Sequence, residues 1–116
     1  MSRLVLRGAR HPGDIALRDG RIEAIGTVAP EADDEVLACD GDIVTAGLIN
    51  THHHLYQWAT RGRAVGCNLF DWLVELYPIW GRLSVEEIHA AALRGLQELA
   101  LSGCTTAADH HYLVPR

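Results

Sequence analysis

Polar and apolar residues alternate in short runs along the first forty positions. Arg3-Leu4-Val5-Leu6-Arg7-Gly8, Asp14-Ile15-Ala16-Leu17-Arg18, Arg21-Ile22-Glu23-Ala24-Ile25-Gly26 and Glu35-Val36-Leu37-Ala38-Cys39 each read as a strand with one covered and one wet face. The breaks between them carry turn chemistry. His11-Pro12-Gly13 marks a turn, Asp19-Gly20 is a strong two-residue hairpin signal, and Asp40-Gly41-Asp42 is a further turn. The acidic stretch 29–34, which contains Pro30, reads as a loop. Residues 1–45 are therefore expected to form several short antiparallel strands, part of a small β-sandwich or an open sheet.

The character changes after residue 45. Ile43-Val44-Thr45-Ala46-Gly47-Leu48-Ile49 is an apolar strand that leads into Asn50-Thr51-His52-His53-His54. An irregular stretch, 55–68, follows, and then a Trp- and Leu-rich segment, 69–81, predicted to be a short helix interrupted near Pro78. Ser84-Val85-Glu86-Glu87 is a capping box, with a hydroxyl for an exposed amide and a Glu three residues on to reach back. The helix it starts is expected to run to about Leu101. Its predicted apolar face is Ile88, Ala92, Gly95, Leu96 and Leu99, and Gly103 supplies a left-handed cap. Cys104-Thr105-Thr106-Ala107-Ala108 is a short strand running into Asp109-His110-His111-Tyr112. Both apolar strands read as central and buried. Strand, helix, strand, with a polar cluster after each strand, is the sense of a βα barrel, in which chemistry sits at the carboxyl ends of the strands.

Bulk composition narrows the function classes. At 116 residues the chain is one domain or less by length, and 48% hydrophobic with 22% charged residues is ordinary for a globular protein. A net charge of -5 leaves no basic footprint and argues against nucleic acid as a partner. All ten basic residues are arginine, so the chain offers no lysine for catalysis or metal bridging. Cys39, Cys67 and Cys104 are odd in number and widely spaced, which reads as reduced thiols in a cytoplasmic protein. No apolar run approaches the length of a membrane span, so no membrane partner is expected.

Candidate chemistry begins with the three histidines. Alternation along a strand puts His52 and His54 on one face and His53 on the other. Two neutral imidazoles so placed can grip one zinc or first-row transition-metal ion, although short His runs also occur in surface loops. Gln57, three residues past His54, carries an amide donor and acceptor that suit a heteroaromatic edge, or is a plain surface residue. Trp72 could stack on a flat ring or fill the core of its helix. His110 and His111 follow the second strand, where one should face the barrel mouth. Trp58, Tyr77 and Trp80 are assigned to packing, and Arg61 and Arg63 to solvent, with reach toward an anionic group.

The run Ala46-Gly47-Leu48-Ile49-Asn50-Thr51-His52-His53-His54-Leu55-Tyr56-Gln57 resembles the first-strand motif of the metal-dependent amidohydrolase superfamily. Ala46 stands where that motif usually has proline. Asn68 through Leu73, Tyr77 through Trp80, and Ser102 through Tyr112 resemble the branch that acts on 8-oxoguanine, guanine-like purines and triazines. The resemblance covers essentially the whole chain. It implies an α/β fold in which 1–45 is part of a small β-sandwich domain and 46–116 is the first portion, two βα units, of an incomplete TIM-type (β/α)8 barrel. It further implies a hydrolase that deaminates a purine-like or triazine ring with a metal-activated water. His52 and His54 would bind one divalent metal ion, zinc in first place and iron as the other option. Gln57, Trp72, His110 and His111 would meet a small heteroaromatic substrate. Asp109 is not the family's metal-binding aspartate and is expected to orient a neighbour or cap a loop. The resemblance places a catalytic Glu and the remaining ligands after Arg116.

Three readings stay open on sequence grounds. One is the N-terminal part of such a deaminase, inactive by itself and completed by the remainder of the barrel or a homo-oligomer partner. Another is a small non-catalytic metal-binding or interaction module. The last is a relative that hydrolyses a carbon–chlorine or amide bond. A typical barrel needs about 250 residues and two strands cannot close one, which favours the first.

Overall fold

The computed structural model describes residues 3–113 and divides into two compact units, Met1–Ala46 and Gly47–Arg116. The first holds four strands, β1 (Leu4–Arg7), β2 (Asp14–Arg18), β3 (Arg21–Gly26) and β4 (Glu35–Ala38), in one sheet of order β3-β2-β1-β4. β1 pairs antiparallel with β2, and β2 with β3. Asp19 (φ 51°) and Gly20 (φ 73°) are both left-handed, the conformation of a type I′ hairpin turn, as their dipeptide predicts. β4 departs from the antiparallel expectation, because it lies parallel to β1 with Leu4 opposite Glu35. The described residues of this unit form a single sheet, the open-sheet alternative of the sequence reading. Val5, Ala16 and Val28 make its core, with Ala24 packed against them.

One cation organises the acidic loop that precedes β4. Arg3 is only 7% exposed. Its guanidinium donates to both carboxylate oxygens of Asp34 (2.9 Å each) and to the Ala29 carbonyl (2.7 Å), and lies 2.9 Å from Glu31. This planar fork offers more directed donors than an ammonium could, and the bidentate pairing fixes direction as well as charge. Asp34 answers with a carboxyl held down to about 2, chiefly by the Arg3 hydrogen bonds and then by the Glu31 amide.

The second unit begins with β5 (Leu48–His53), followed by a 3-10 helix (Leu55–Thr60), α1 (Leu69–Trp80), α2 (Val85–Leu101) and β6 (Cys104–Asp109). β5 and β6 pair in parallel as a two-stranded sheet. β5 is shorter than expected, since Ile43 instead bridges to His11 and the Val44 amide donates to the His11 carbonyl, both within the first unit. Both strands are also more exposed than expected, with Leu48 at 59% and Ile49 at 68%, because two strands alone present both faces and an edge each.

Local signals hold well through the helices. Asn68 caps α1 by accepting from the Asp71 amide, and Ser84 and Glu87 complete the reciprocal capping box of α2. Gly103 (φ 84°) takes the left-handed position after α2. Pro78 does not interrupt α1. It sits in the last turn, where its missing N–H removes only one helical bond before the helix ends. The stretch after His54 is not irregular throughout, because Leu55, Tyr56 and Thr60 of the 3-10 helix are buried. Tyr56, Leu76 and Trp80 form the core of this unit, and the Trp80 indole donates to the Thr60 hydroxyl at 2.8 Å.

Of the predicted α2 face, Gly95 is buried and Ile88, Ala92 and Leu99 are half-buried. Ala91 and Gly95 are buried, whereas Leu96 remains 47% exposed. The 3-10 helix packs closely on this face: a Cβ at Gly95 would stand 2.7 Å from Trp58 Cδ1 and 2.8 Å from Leu55 Cδ2. Small residues let the two backbones approach.

Gly95→Ala is accordingly expected to destabilise the protein in urea denaturation, by about 1–3 kcal/mol of overpacking that offsets the helix-propensity gain of about 1 kcal/mol. A raised midpoint would contradict the close approach. For Asp34, the folded carboxyl lies below its ordinary 3.8. Its contribution to stability is thus complete above pH 3.8 and lost as pH falls through about 2. Acid titration followed by circular dichroism should show this dependence in the native protein and lose part of it in Asp34→Asn.

Candidate metal centre

The carboxyl end of β5 breaks its ladder where the histidines begin. Asn50 pairs with Ala107 and His53 with Asp109, so three steps on β5 match two on β6. This bulge re-aims side chains. The His52 amide leaves the ladder and donates to the Asn50 side chain at 3.0 Å. His52 and His54 converge, with their Nε2 atoms 3.0 Å apart. His53 lies between them in sequence and is among the residues bordering the adjoining cleft. Its Nδ1 is buried without a hydrogen-bond partner among the described residues.

The β6 end then fixes the β5 end. The His110 amide donates to the His53 carbonyl at 2.7 Å. His54 Nδ1 lies 2.7 Å from the His110 carbonyl oxygen, which can only accept. Nδ1 therefore carries the proton, and in the neutral ring Nε2 presents a lone pair toward His52. The His110 ring stacks on that of His52, centroids 4.3 Å apart and planes 11° from parallel. Asp109 uses both oxygens: one accepts from the Leu55 amide at 2.9 Å and the other lies 3.1 Å from His111 Nδ1.

This pair suits a metal ion. Two nitrogens bound to zinc at ordinary length, at angles between square and tetrahedral, lie about 2.8–3.4 Å apart, which brackets the observed separation. An imidazole whose other nitrogen donates to a main-chain carbonyl is also the usual state of a ligating histidine. Two ligands are not a cage: among the described residues no three His, Cys, Asp or Glu side chains converge as a metal set.

A cleft of about 430 Å³ opens beside the pair and is bordered by Gln57 and Trp72. Trp58, Arg61 and Arg63 border it as well, although their sequence context suggested packing and solvent. The Arg61 guanidinium sits 4.4 Å above the Trp58 ring. Proximity to His54 along the chain was the available sign of their position. His110 and His111 lie at the β6 end beside the histidine pair, and His111 packs edge-on to Tyr56. Burial raises the Tyr56 phenol above its ordinary value, while the Gln57 amide opposes that shift.

The second unit thus carries a histidine pair at the end of a parallel strand, and comparison with known proteins is more specific. Residues 43–115 match the model of the amidohydrolase family, and the chain belongs to that family. It is 48% identical over 108 residues to an 8-oxoguanine deaminase of Pseudomonas aeruginosa, covering 89% of this chain and 24% of that protein. It is 36% identical over 113 residues to a hydroxydechloroatrazine ethylaminohydrolase of Pseudomonas sp. strain ADP, covering 85% and 24%. Among solved structures, an amidohydrolase from a Sargasso Sea environmental sample superposes with a TM-score of 0.79 at 28% identity, over 97% of this chain and 27% of that one. A guanine deaminase of C. acetobutylicum shares the fold, with a TM-score of 0.73 at 19% identity over 97% and 29%. The chain spans about a quarter of the length of the curated relatives it matches.

Nitrogen-15 NMR of the metal-free protein should find His54 protonated at Nδ1 and bare at Nε2. A dominant Nε2–H tautomer would mean that the His110 carbonyl does not hold the ring.

Proposed function

We propose that the chain is the N-terminal part of a metal-dependent aminohydrolase that deaminates a purine-like or triazine ring, with 8-oxoguanine or guanine-like purines as the leading substrates. The observation that carries this is the His52–His54 pair, its nitrogens 3.0 Å apart and His54 aimed by a main-chain carbonyl. The names of the relatives support the reaction class, and family members generally use a divalent metal. Residues 1–45 correspond, on this reading, to part of the small β-domain and 46–116 to the first two βα units of a (β/α)8 barrel. The remaining strands, or a partner subunit, would supply the other ligands and a catalytic Glu. A cytoplasmic location belongs to the same reading.

His52 and His54 would hold one divalent ion, zinc in first place. When bound, such an ion lowers the pKa of a water toward neutrality and makes it a nucleophile. Hydrolysis then forms a carbon–oxygen bond, breaks the ring carbon–amine bond and sends a proton out with ammonia. Gln57 can give and accept one hydrogen bond each along a heteroaromatic edge, and Trp72 borders the same cleft, where a flat ring could stack on it. His110 and His111 stand at the β6 end, on the substrate side of the same reading.

In the full-length parent, His52→Ala and His54→Ala should each remove the metal and ammonia release together, read by elemental analysis and a coupled ammonia assay across 8-oxoguanine, guanine and triazines. Stoichiometric metal in both variants would refute the ligand assignment. Turnover confined to a chlorinated or amide substrate would move the reaction class. Residues 1–116 purified alone are expected to release no ammonia and to bind zinc weakly.

A further inference from the structure

We propose that Asp109 is the positioning residue of the histidine pair, acting through its two hydrogen bonds and not on substrate. The inference rests on the reading of His52 and His54 as metal ligands. Three links tie Asp109 and His110 at the β6 end to His53, His54 and Leu55 at the β5 end. The His110 amide bonds the His53 carbonyl, the His110 carbonyl accepts from His54 Nδ1, and Asp109 Oδ1 accepts from the Leu55 amide. The first two are main-chain links that any residue at 110 could make. Asp109 supplies the only side chain that grips the backbone immediately after His54 among the described residues.

The need for this link follows from the bulge. The ladder loses its regular spacing between Asn50 and His53, so strand pairing alone does not dictate where His54 points. Leu55 opens the 3-10 helix, and the residue before it, His54, gives no side-chain cap to that helix. The first free amide of the helix is satisfied by Asp109 instead. The carboxylate thereby sets where the chain turns out of β5, one residue past His54. Its second oxygen, 3.1 Å from His111 Nδ1, keeps the carboxylate from rotating away. The strand end, the His110 carbonyl and the His54 ring therefore move together. Loss of the acceptor frees His54 to rotate and exchange its tautomer while leaving the hydrophobic core of Tyr56, Leu76 and Trp80 in place.

The test compares Asp109→Ala, Asp109→Asn and His54→Ala in the full-length parent, with zinc as the probe. Zinc affinity is read by competition with a chromophoric chelator, and the His54 tautomer by nitrogen-15 NMR of the metal-free protein. Asp109→Asn keeps an oxygen for the Leu55 amide and should stay within about threefold of the native affinity. Asp109→Ala should bind zinc about 10–100-fold more weakly, the loss usual for an outer partner of a metal ligand, and should show mixed His54 tautomers. A merely structural role would lower thermal stability and leave both readouts unchanged in the folded protein. Native zinc affinity in Asp109→Ala, with affinity lost in His54→Ala, would overturn this inference alone. Native affinity in both would overturn the metal reading itself. If Asp109→Ala does not fold, Asp109→Glu, which keeps the carboxylate but carries it one methylene further, should still weaken zinc binding, and native affinity there would be equally decisive.

Discussion

The hold of β6 on the end of β5 is the constraint on which the rest of the second unit depends. A parallel pair needs a long crossover, and here the 3-10 helix, α1 and α2 supply it. Everything in that crossover has to return the chain so that Asp109 and His110 arrive beside His53, His54 and Leu55. The close packing at Gly95 and the Trp80–Thr60 hydrogen bond brace the 3-10 helix that leaves the histidines. The helical core and the strand-end chemistry are thus parts of one arrangement. The core sets where the 3-10 helix lies, and the 3-10 helix sets where the histidines end.

The polar atoms at the strand end are divided by task. Main-chain groups of His53 and His110 close the sheet, the Asp109 carboxylate holds the exit, and the His52 and His54 Nε2 atoms remain facing each other. The cleft beside them is bordered by histidine, glutamine, arginine and tryptophan side chains, with no carboxylate among its bordering residues. Such a wall is rich in hydrogen-bond donors and aromatic side chains.

Legibility in the sequence followed distance along the chain. The Asp19-Gly20 turn, the Ser84–Glu87 box and the Gly103 cap are local devices, and each formed where its residues predicted. Parallel pairing of β4 with β1 escaped notice because it joins Leu4 to Glu35 across an intervening hairpin. The same distance hid the partnership between Arg3 and the acidic stretch, which reads from sequence only as a loop. At the site, alternation brought His52 and His54 together, whereas the bulge between Asn50 and His53 cannot be read from period-two spacing. Gln57 and Trp72 do reach one cleft with the pair, whereas the role of Arg61 and Trp58 as its neighbours depends on how the 3-10 helix turns.

The bond from His54 to His110 spans 56 residues, and that from Leu55 to Asp109 spans 54. The two histidines of the pair are near neighbours in any conformation of the chain, but the groups that aim them arrive only after a long loop has closed. Closing such a loop carries an entropic cost that grows with the logarithm of its length. During folding, then, the chain holds its imidazoles early and gains their direction late. Directional order at this strand end is a property of the finished crossover, and a nascent chain carries the ingredients of the centre well before it carries the centre.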